Sequence, residues 1–505
     1  MISRKSTSSA QCLTGNDSPA TMNPQSKTLM TEARLSFAID ALKKSSLIEA
    51  HGNLFFSPHS LHEALTLAYF GARGNTESSL KKALHIPEEL SKVDVQRSYG
   101  LEKSLQQQQE SPQNSTPSYE YKSANRLWIS KEKKVRECML DLFSNELEKT
   151  DFRADPEAAR NRINEWVSNT TKGQIKDLIA ADGVTGATTL VLANAVYFKG
   201  LWNSRFDKAN SKRDIFYGAK NTLITFMRQK KTFNHIVSEE LGAHVLQLPY
   251  KGDDISMFVL LPPFAMARSL KDPSAVQNST VDRDGIRQLI ERIGTERGFE
   301  DLREILDDGM PPREVEVSLP RFTVEKELPV APLLQALGAG DLMTANKADL
   351  RGFVADGEEG LYLGDAVHRA KVEVNEEGTT AAAATALFSF RSSRPAEPAV
   401  FNANHPFLYL IYDRTSQAIL FAGIYRSPPE STVQINFEEI ESYNYRRYRI
   451  DSSTECNYML LVTIVRSTNS VSQSALPSSV VLNVFFFLHV QINTQELYCN
   501  RTTFR

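Results

Sequence analysis

The stretch VEVNEEGTTAAAATALFSFRSSRP, Val372 to Pro395, contradicts itself. Its first residues continue the alternating strand AKVEV, its four consecutive alanines favour helix by propensity, and its end carries the Phe, Arg and Ser cluster of an exposed loop. A bland linker is the simplest reading, and the pattern argues against it. Gly378, Thr379, Thr380, Ala381, Ala382, Ala383, Ala384, Thr385 and Ala386 are small and uncharged, and no proline occurs from Val374 to Phe390. A strand entering the middle of a sheet is buried on both faces, so it must bring no charge to desolvate and no proline to interrupt the ladder. This segment meets both conditions.

The remaining chain is large enough to build a receiving sheet: 505 residues, 41% hydrophobic and 24% charged. Leu35, Ala38, Ile39 and Leu42 recur at helical spacing, Leu61 to Phe70 resumes it after Ser57 and Pro58, and Leu80 to Leu84 continues it. Beyond Val93 the pattern fades through Gln106 to Gln109 into a loop ending near Ser118. Strands are expected at Ala124 to Ile129, from Thr189, from His244 and from Met257, with a helix over Glu157 to Asn169 between the first two. Asp272 to Pro312 reads as a solvated surface helix pair, and strands return in VEVSLPRFTVEKEL, Leu361 to Val374, Phe407 to Ile411 and Ile419 to Tyr425. Helices and strands are intermixed, which predicts one mixed α/β (α+β) body over residues 30–430, flanked by a disordered extension at 1–29 and an atypical, disordered one at 431–505.

Several function classes drop out. Lys plus Arg total 58 against 61 acids, a net charge of -3, so nothing draws the chain to nucleic acid. Val480 to Val490, the longest apolar run, contains Asn483 and His489 and is too short to cross a membrane. No GxSxG, HExxH, Walker or CxxC motif occurs, and Gly338 and Gly340 lack the third glycine of a dinucleotide loop, so no enzyme, metal or cofactor is expected. His59 and His62, near a helix start, have no third ligand in sight and read as surface or core histidines. Cys12, Cys456 and Cys499 lie in terminal segments, leaving Cys138 alone as a buried apolar residue, with no disulfide framework. Residues 1–27 carry no signal-peptide pattern, whereas Asn114, Asn169 and Asn278 begin glycosylation triplets.

EVNEEGTTAAAATA resembles the proximal hinge of inhibitory serpins almost position for position. NLFFSPHSLHEAL with FGARGNTE, NEWVSNTTKGQIKDLI with VLANAVYFKGLW, and HPFLYLIYDRTSQAILFAGIYRSP are similar to three further blocks of that family, and the likeness spans about four-fifths of the chain. It implies three β-sheets, eight or nine helices and an exposed reactive loop. It further implies a monomer consumed in one covalent complex with a serine protease, not a catalyst. Glu376, Glu377, Gly378, Thr379, Thr380, the four alanines from Ala381 and Thr385 would form the hinge. Ser57, Ser60, Asn194 and His368 would form the hydrogen-bonded shutter beneath the opening strands, and Trp202, Arg321 and Glu376 the breach, with Arg321 and Glu376 paired. The resemblance and the sequons favour an extracellular protein, with the cytoplasm as the alternative. A non-inhibitory carrier or chaperone on the same fold is the competing reading, and its hinge would carry bulky or charged residues.

The family's usual loop length places the bait at Ser392, giving a Ser392–Ser393 bond; one residue earlier gives Arg391–Ser392. Arg391 is preferred, because an arginine in an acidic specificity pocket makes a charge-assisted anchor that serine cannot, which points to a trypsin-like protease. Arg394 is a poorer bait because Pro395 follows it, and Phe390 would suit a chymotrypsin-like enzyme.

Overall fold

In a computed structural model of the chain, the structure describes residues 12–13, 25–110, 119–264, 285–358, 360–377 and 397–428. Helices α1 (Ser26–Ile48), α2 (Pro58–Gly71), α3 (Gly74–Ala83) and α4 (Lys92–Glu110) dominate the first part. Strand β1 (Leu54–Phe56) lies between the first two. Ser57 stops that strand and starts α2: its side chain accepts a hydrogen bond from the Ser60 N–H, and Pro58 takes the first turn, where a missing N–H costs nothing. All 14 residues of α2 are buried, so this helix is the spine of the core. The expected fade beyond Val93 does not occur. Helix α4 runs regularly to Glu110, because straight-chain residues such as glutamine hold a helix well even without an apolar stripe.

The sheet that positions the site has five strands in the order β10-β11-β4-β2-β3. These are β2 (Tyr119–Ser130), β3 (Leu147–Thr150), β4 (Leu190–Gly200), β10 (Phe322–Pro329) and β11 (Asp365–Val374). Central strands β4 and β11 run parallel, with His368 opposite Asn194, and on the other side of β4 Asn125 also lies opposite Asn194. Both faces of β4 are covered. Leu190, Leu192, Val196 and Phe198 point into the main core, while Val191, Ala193 and Ala195 pack with Trp128, Ile163 and Val167 beneath helix α6 (Pro156–Thr170). Asn194 sits in the middle of the otherwise apolar inner row.

The other described strands form one hydrogen-bonded sheet of nine, a path of eight with β5 (Lys212–Tyr217) branching off it, because β6 (Asn221–Ser238) pairs with β5 and β9 (Pro312–Pro320) along one part and with β7 (Ala243–Pro249) at its end. It thereby joins the second and third expected sheets. The path continues through β8 (Ile255–Leu261), β13 (Phe407–Asp413) and β14 (Ala418–Tyr425) to β1, and ends on its other side at β12 (Ala399–Asn402). Helix α5 (Glu137–Leu142) precedes β3, and α9 (Val330–Ala336) follows β10. Helices α7 (Ile286–Ile293) and α8 (Glu296–Asp307) occupy the polar region expected to be a solvated pair. They are amphipathic instead: Ile286, Leu289, Ile290 and Ile293 of one and Leu302, Ile305 and Leu306 of the other are buried in the main core.

The reading of the cysteines is overturned as well. Cys12 and Cys138 form a disulfide, Leu13 is fully buried, and Arg136 Nη1 donates to the Cys12 carbonyl at 2.8 Å. A sequence separation of 126 residues hides such a pairing, since nothing local marks two distant cysteines as neighbours. Peptide mapping without reductant should recover one linked pair holding Cys12 and Cys138. Reduction should cost about 3–5 kcal/mol by loop-closure entropy, read as a lower urea midpoint. Recovery of both residues as free thiols from protein folded under oxidising conditions would refute the pairing.

Candidate functional site

At mid-seam the two parallel strands are joined by buried side chains. Ser57 N–H donates to His368 Nε2 at 3.0 Å, His368 Nδ1 bonds to Asn194 Oδ1, and Asn194 Nδ2 donates to Asn125 Oδ1. The Ser57 hydroxyl donates to the Leu420 carbonyl at 2.6 Å. Asn194 Nδ2 also lies 2.9 Å from Ser60 Oγ, which donates to Asn125 Oδ1 at 3.1 Å. Ser57, Ser60, Asn194 and His368 thus meet at one point, although they come from the helix α2 entry and two strands distant in sequence. Each is buried, so breaking the cluster leaves unpaired polar groups at about 1–3 kcal/mol apiece. Burial also pulls the His368 pKa down to about 3, so the ring is neutral at neutral pH, as its two bonds require.

At the far end of β11 a second cluster holds Asn375 and Glu376, where the expected hinge begins. Trp202 Nε1 donates to the Asn375 carbonyl at 2.8 Å, and its ring stacks on Tyr250 with centroids 4.5 Å apart. Gly200 permits that stack, since a Cβ there would lie 2.3 Å from the Tyr250 ring. Glu376 is buried; its Oε1 accepts from Ser211 Oγ at 2.8 Å and lies 3.6 Å from Arg321 Nη1. The Arg321 side chain is 52% exposed, so solvent screens the ion pair and the short Ser211 bond is the firmer hold. Lys208 Nζ reaches Glu377 at 3.2 Å on the surface.

The structure therefore brings together the three expected breach residues, with Trp202 reaching the hinge through backbone and not through Glu376. Gly378 to Thr385 and the three bait residues Arg391, Ser392 and Ser393 lie outside the described residues. Sequence reasoning missed Asn125, Ser123, Glu63, Ser211 and Tyr250. Asn125 and Ser123, whose hydroxyl lies 3.0 Å from Ser60 Oγ, are legible only from register, because a polar residue in a strand gives no sign of the row it joins, and Glu63 lies in helix α2, where nothing local marks it as a partner of that row. His59 and His62 are both buried. His59 Nε2 stands 3.5 Å from Glu63 Oε1, and His62 Nε2 contacts the Leu84 carbonyl at 3.1 Å. Burial and the Arg34 charge lower the His62 pKa to about 3. No cluster of three or more His, Cys, Asp or Glu able to hold a metal occurs among the described residues. None of the described helices is long and apolar enough to cross a membrane.

A central parallel pair joined by buried polar side chains, with a second cluster where β11 ends, is the arrangement at the centre of this body. Comparison with known proteins identifies that body. The model of the family described as Serpin (serine protease inhibitor) matches residues 32–428. Serine protease inhibitor 88Ea of Drosophila melanogaster is 38% identical over 410 residues, which cover 78% of this chain and 89% of that protein. Leukocyte elastase inhibitor of Homo sapiens is 34% identical over 406 residues, covering 79% and 99%. The crystal structure of uncleaved ovalbumin superposes with a TM-score of 0.64 at 26% identity, covering 78% of this chain and 99% of that one. The chain belongs to the serpin family and has its mixed α/β fold.

The depressed pKa of His368 makes the latch acid-sensitive. The unfolded chain takes up a proton below pH 6.5 while the folded ring does not until about 3, so this contribution is complete above 6.5 and is lost progressively as pH falls towards 3. Between pH 7.5 and 5 it amounts to about 2 kcal/mol. A His368→Gln variant should lose roughly that much of the pH dependence of urea stability relative to the wild type. Equal pH dependence in the two proteins would show that the ring does not titrate with unfolding.

Proposed function

We propose that this serpin is a suicide inhibitor of a trypsin-like serine protease, and not a catalyst. The protease cuts the reactive loop, is caught as an acyl-enzyme, and is disabled when the cut loop enters the five-stranded sheet between β4 and β11. The observation that carries this reading is the direction of the two strands. A segment folding back from the end of β11 runs antiparallel to β11, and because β4 is parallel to β11 it runs antiparallel to β4 as well. Insertion thus exchanges one parallel ladder for two antiparallel ones, which are somewhat more stable per residue; serpin loop insertion is itself a recognised case of strand addition. The hinge residues Gly378 to Thr385 suit that buried position, being small and uncharged.

Arg391 is the proposed bait and Arg391–Ser392 the bond attacked, with Ser392–Ser393 as the alternative. The protein acts as a monomer before reaction and needs no cofactor. It works in an oxidising, extracellular setting. Support comes from the Cys12–Cys138 disulfide, which reducing cytosol would open, and from exposed Asn169 in one of the sequons. A cytoplasmic location would instead leave both thiols free.

Thr379→Arg should convert the inhibitor into a substrate, because a guanidinium carried into the sheet costs several kcal/mol and slows insertion relative to deacylation. Wild-type stoichiometry in the variant would rule out insertion of this hinge. Incubation with trypsin should yield an SDS-stable complex and a released fragment beginning at Ser392, and Arg391→Ala should remove most inhibition while Arg394→Ala matters little. A fragment beginning at Ser393, with inhibition undiminished in Arg391→Ala, would move the bait to Ser392. Complete turnover with no complex would favour a non-inhibitory serpin.

A further inference from the structure

The latch does not end at Asn125. Its Nδ2 donates to Glu63 Oε2 at 3.1 Å, and Glu63 lies in helix α2 with its side chain only 3% exposed. Two more donors reach that carboxylate from helix α4: Lys103 Nζ at 3.1 Å on Oε2 and Gln106 Nε2 at 3.2 Å on Oε1. His59 approaches Oε1 at 3.5 Å. Burial opposes the charge on Glu63, but Lys103 and His59, with hydrogen bonds from Lys103 and Gln106, outweigh it and hold the pKa at about 2, so the group is a carboxylate at neutral pH.

The hydrogen bonds therefore run one way. They begin at a group that can only donate, the Ser57 backbone N–H, and end at one that can only accept, the Glu63 carboxylate. Between them His368, Asn194 and Asn125 each accept once and donate once along the row. Rotating any one amide, or moving the ring proton, sets two donors or two acceptors against each other. We propose that Glu63 is the positioning residue of the strand latch: as the terminal acceptor it orients Asn125, and through Asn125 and Asn194 it holds His368, so that β4 and β11 stay closed. A glutamine of the same shape replaces it poorly: it keeps an acceptor for Asn125 only with its NH₂ turned to Gln106, whose amide must then reverse, and it leaves Lys103 without the carboxylate that pairs it. The latch is thereby tied to helix α4, whose Lys103 and Gln106 hold the carboxylate in place. The significance for inhibition rests on the insertion reading given above, but the closing experiment needs no protease.

Hydrogen exchange of the full-length, uncleaved protein reads opening of the seam directly. Glu63→Gln should raise exchange in peptides spanning β4 and β11 roughly tenfold, the factor expected for one lost buried hydrogen bond, and leave β13 unchanged. Asn125→Asp, which sets a second carboxylate against Glu63, should do the same. Combining Glu63→Gln with Asn125→Asp moves the terminal acceptor one step along the row. The carboxylate then stands at position 125 and accepts from Asn194 and Ser60, while the amide at position 63 donates to it and accepts from Gln106. Lys103, whose side chain is 23% exposed, can turn to water. The double variant should therefore return to the wild-type exchange rate. Unchanged exchange in both single variants, an equal rise in β13, or a double variant no better protected than the singles would each overturn the proposal. Where Glu63→Gln fails to fold, Asn125→Asp against the double variant decides the matter alone. A wild type that forms no complex with any trypsin-like protease would defeat the trypsin-like reading and leave this one intact.

Discussion

Two parallel strands, β4 buried on both faces and β11 on its inner one, meet along the β4–β11 seam, and the architecture around them depends on how that seam is closed. Apolar packing is non-directional and tolerates gradual sliding, whereas a hydrogen-bonded row is intact or broken. Placing Asn194 and His368 opposite each other in a row of Leu, Val and Phe gives the centre of the sheet an interaction that is fully satisfied in one arrangement and poorly in any other. The closed sheet is held by geometry at this point more than by buried area.

The rest of the core supports that arrangement. Helix α2 brings Ser57, Ser60 and Glu63 to the row from one rigid element, and its N-terminal cap and its latch contact are made by the same serine. Helix α6 covers the other face of the sheet through Ile163 and Val167. At the hinge end the stacked pair Trp202 and Tyr250 fixes the level at which β11 leaves the sheet, while the half-exposed Arg321 adds a screened charge. Directional contacts thus hold both the seam and the end of β11, and only the Arg321 charge is screened by solvent.

Much of this is legible in the residues themselves. Strands β2, β4, β10 and β11 of the five-stranded sheet and helix α6 follow from β-branched and helical periodicity, whereas the four-residue edge strand β3 does not, and Ser57 with Pro58 announces the start of α2. The shutter and breach residues emerge from resemblance to a family and not from pattern, since no local rule marks Asn194 or His368 as partners. Sequence reasoning fails where partnership is remote. Cys138 reads as an apolar filler because Cys12 lies in a polar segment, and α7 and α8 read as solvated because their charges outnumber their apolar residues, although those residues share one face.

What the sequence alone determined is the character of the segment from Gly378 to Ala386 and the makings of a mixed body: an uncharged, proline-free run downstream of an alternating strand, attached to helices and strands long enough to build large sheets. Those are properties of residue type and spacing, and they survive any choice of topology. Only the tertiary structure decided that β4 and β11 lie side by side and parallel, that Asn125, Asn194 and His368 fall in one row, and that a glutamate from a helix ends it. Register between distant strands is set by how whole faces pack, and no local stretch of residues contains that information.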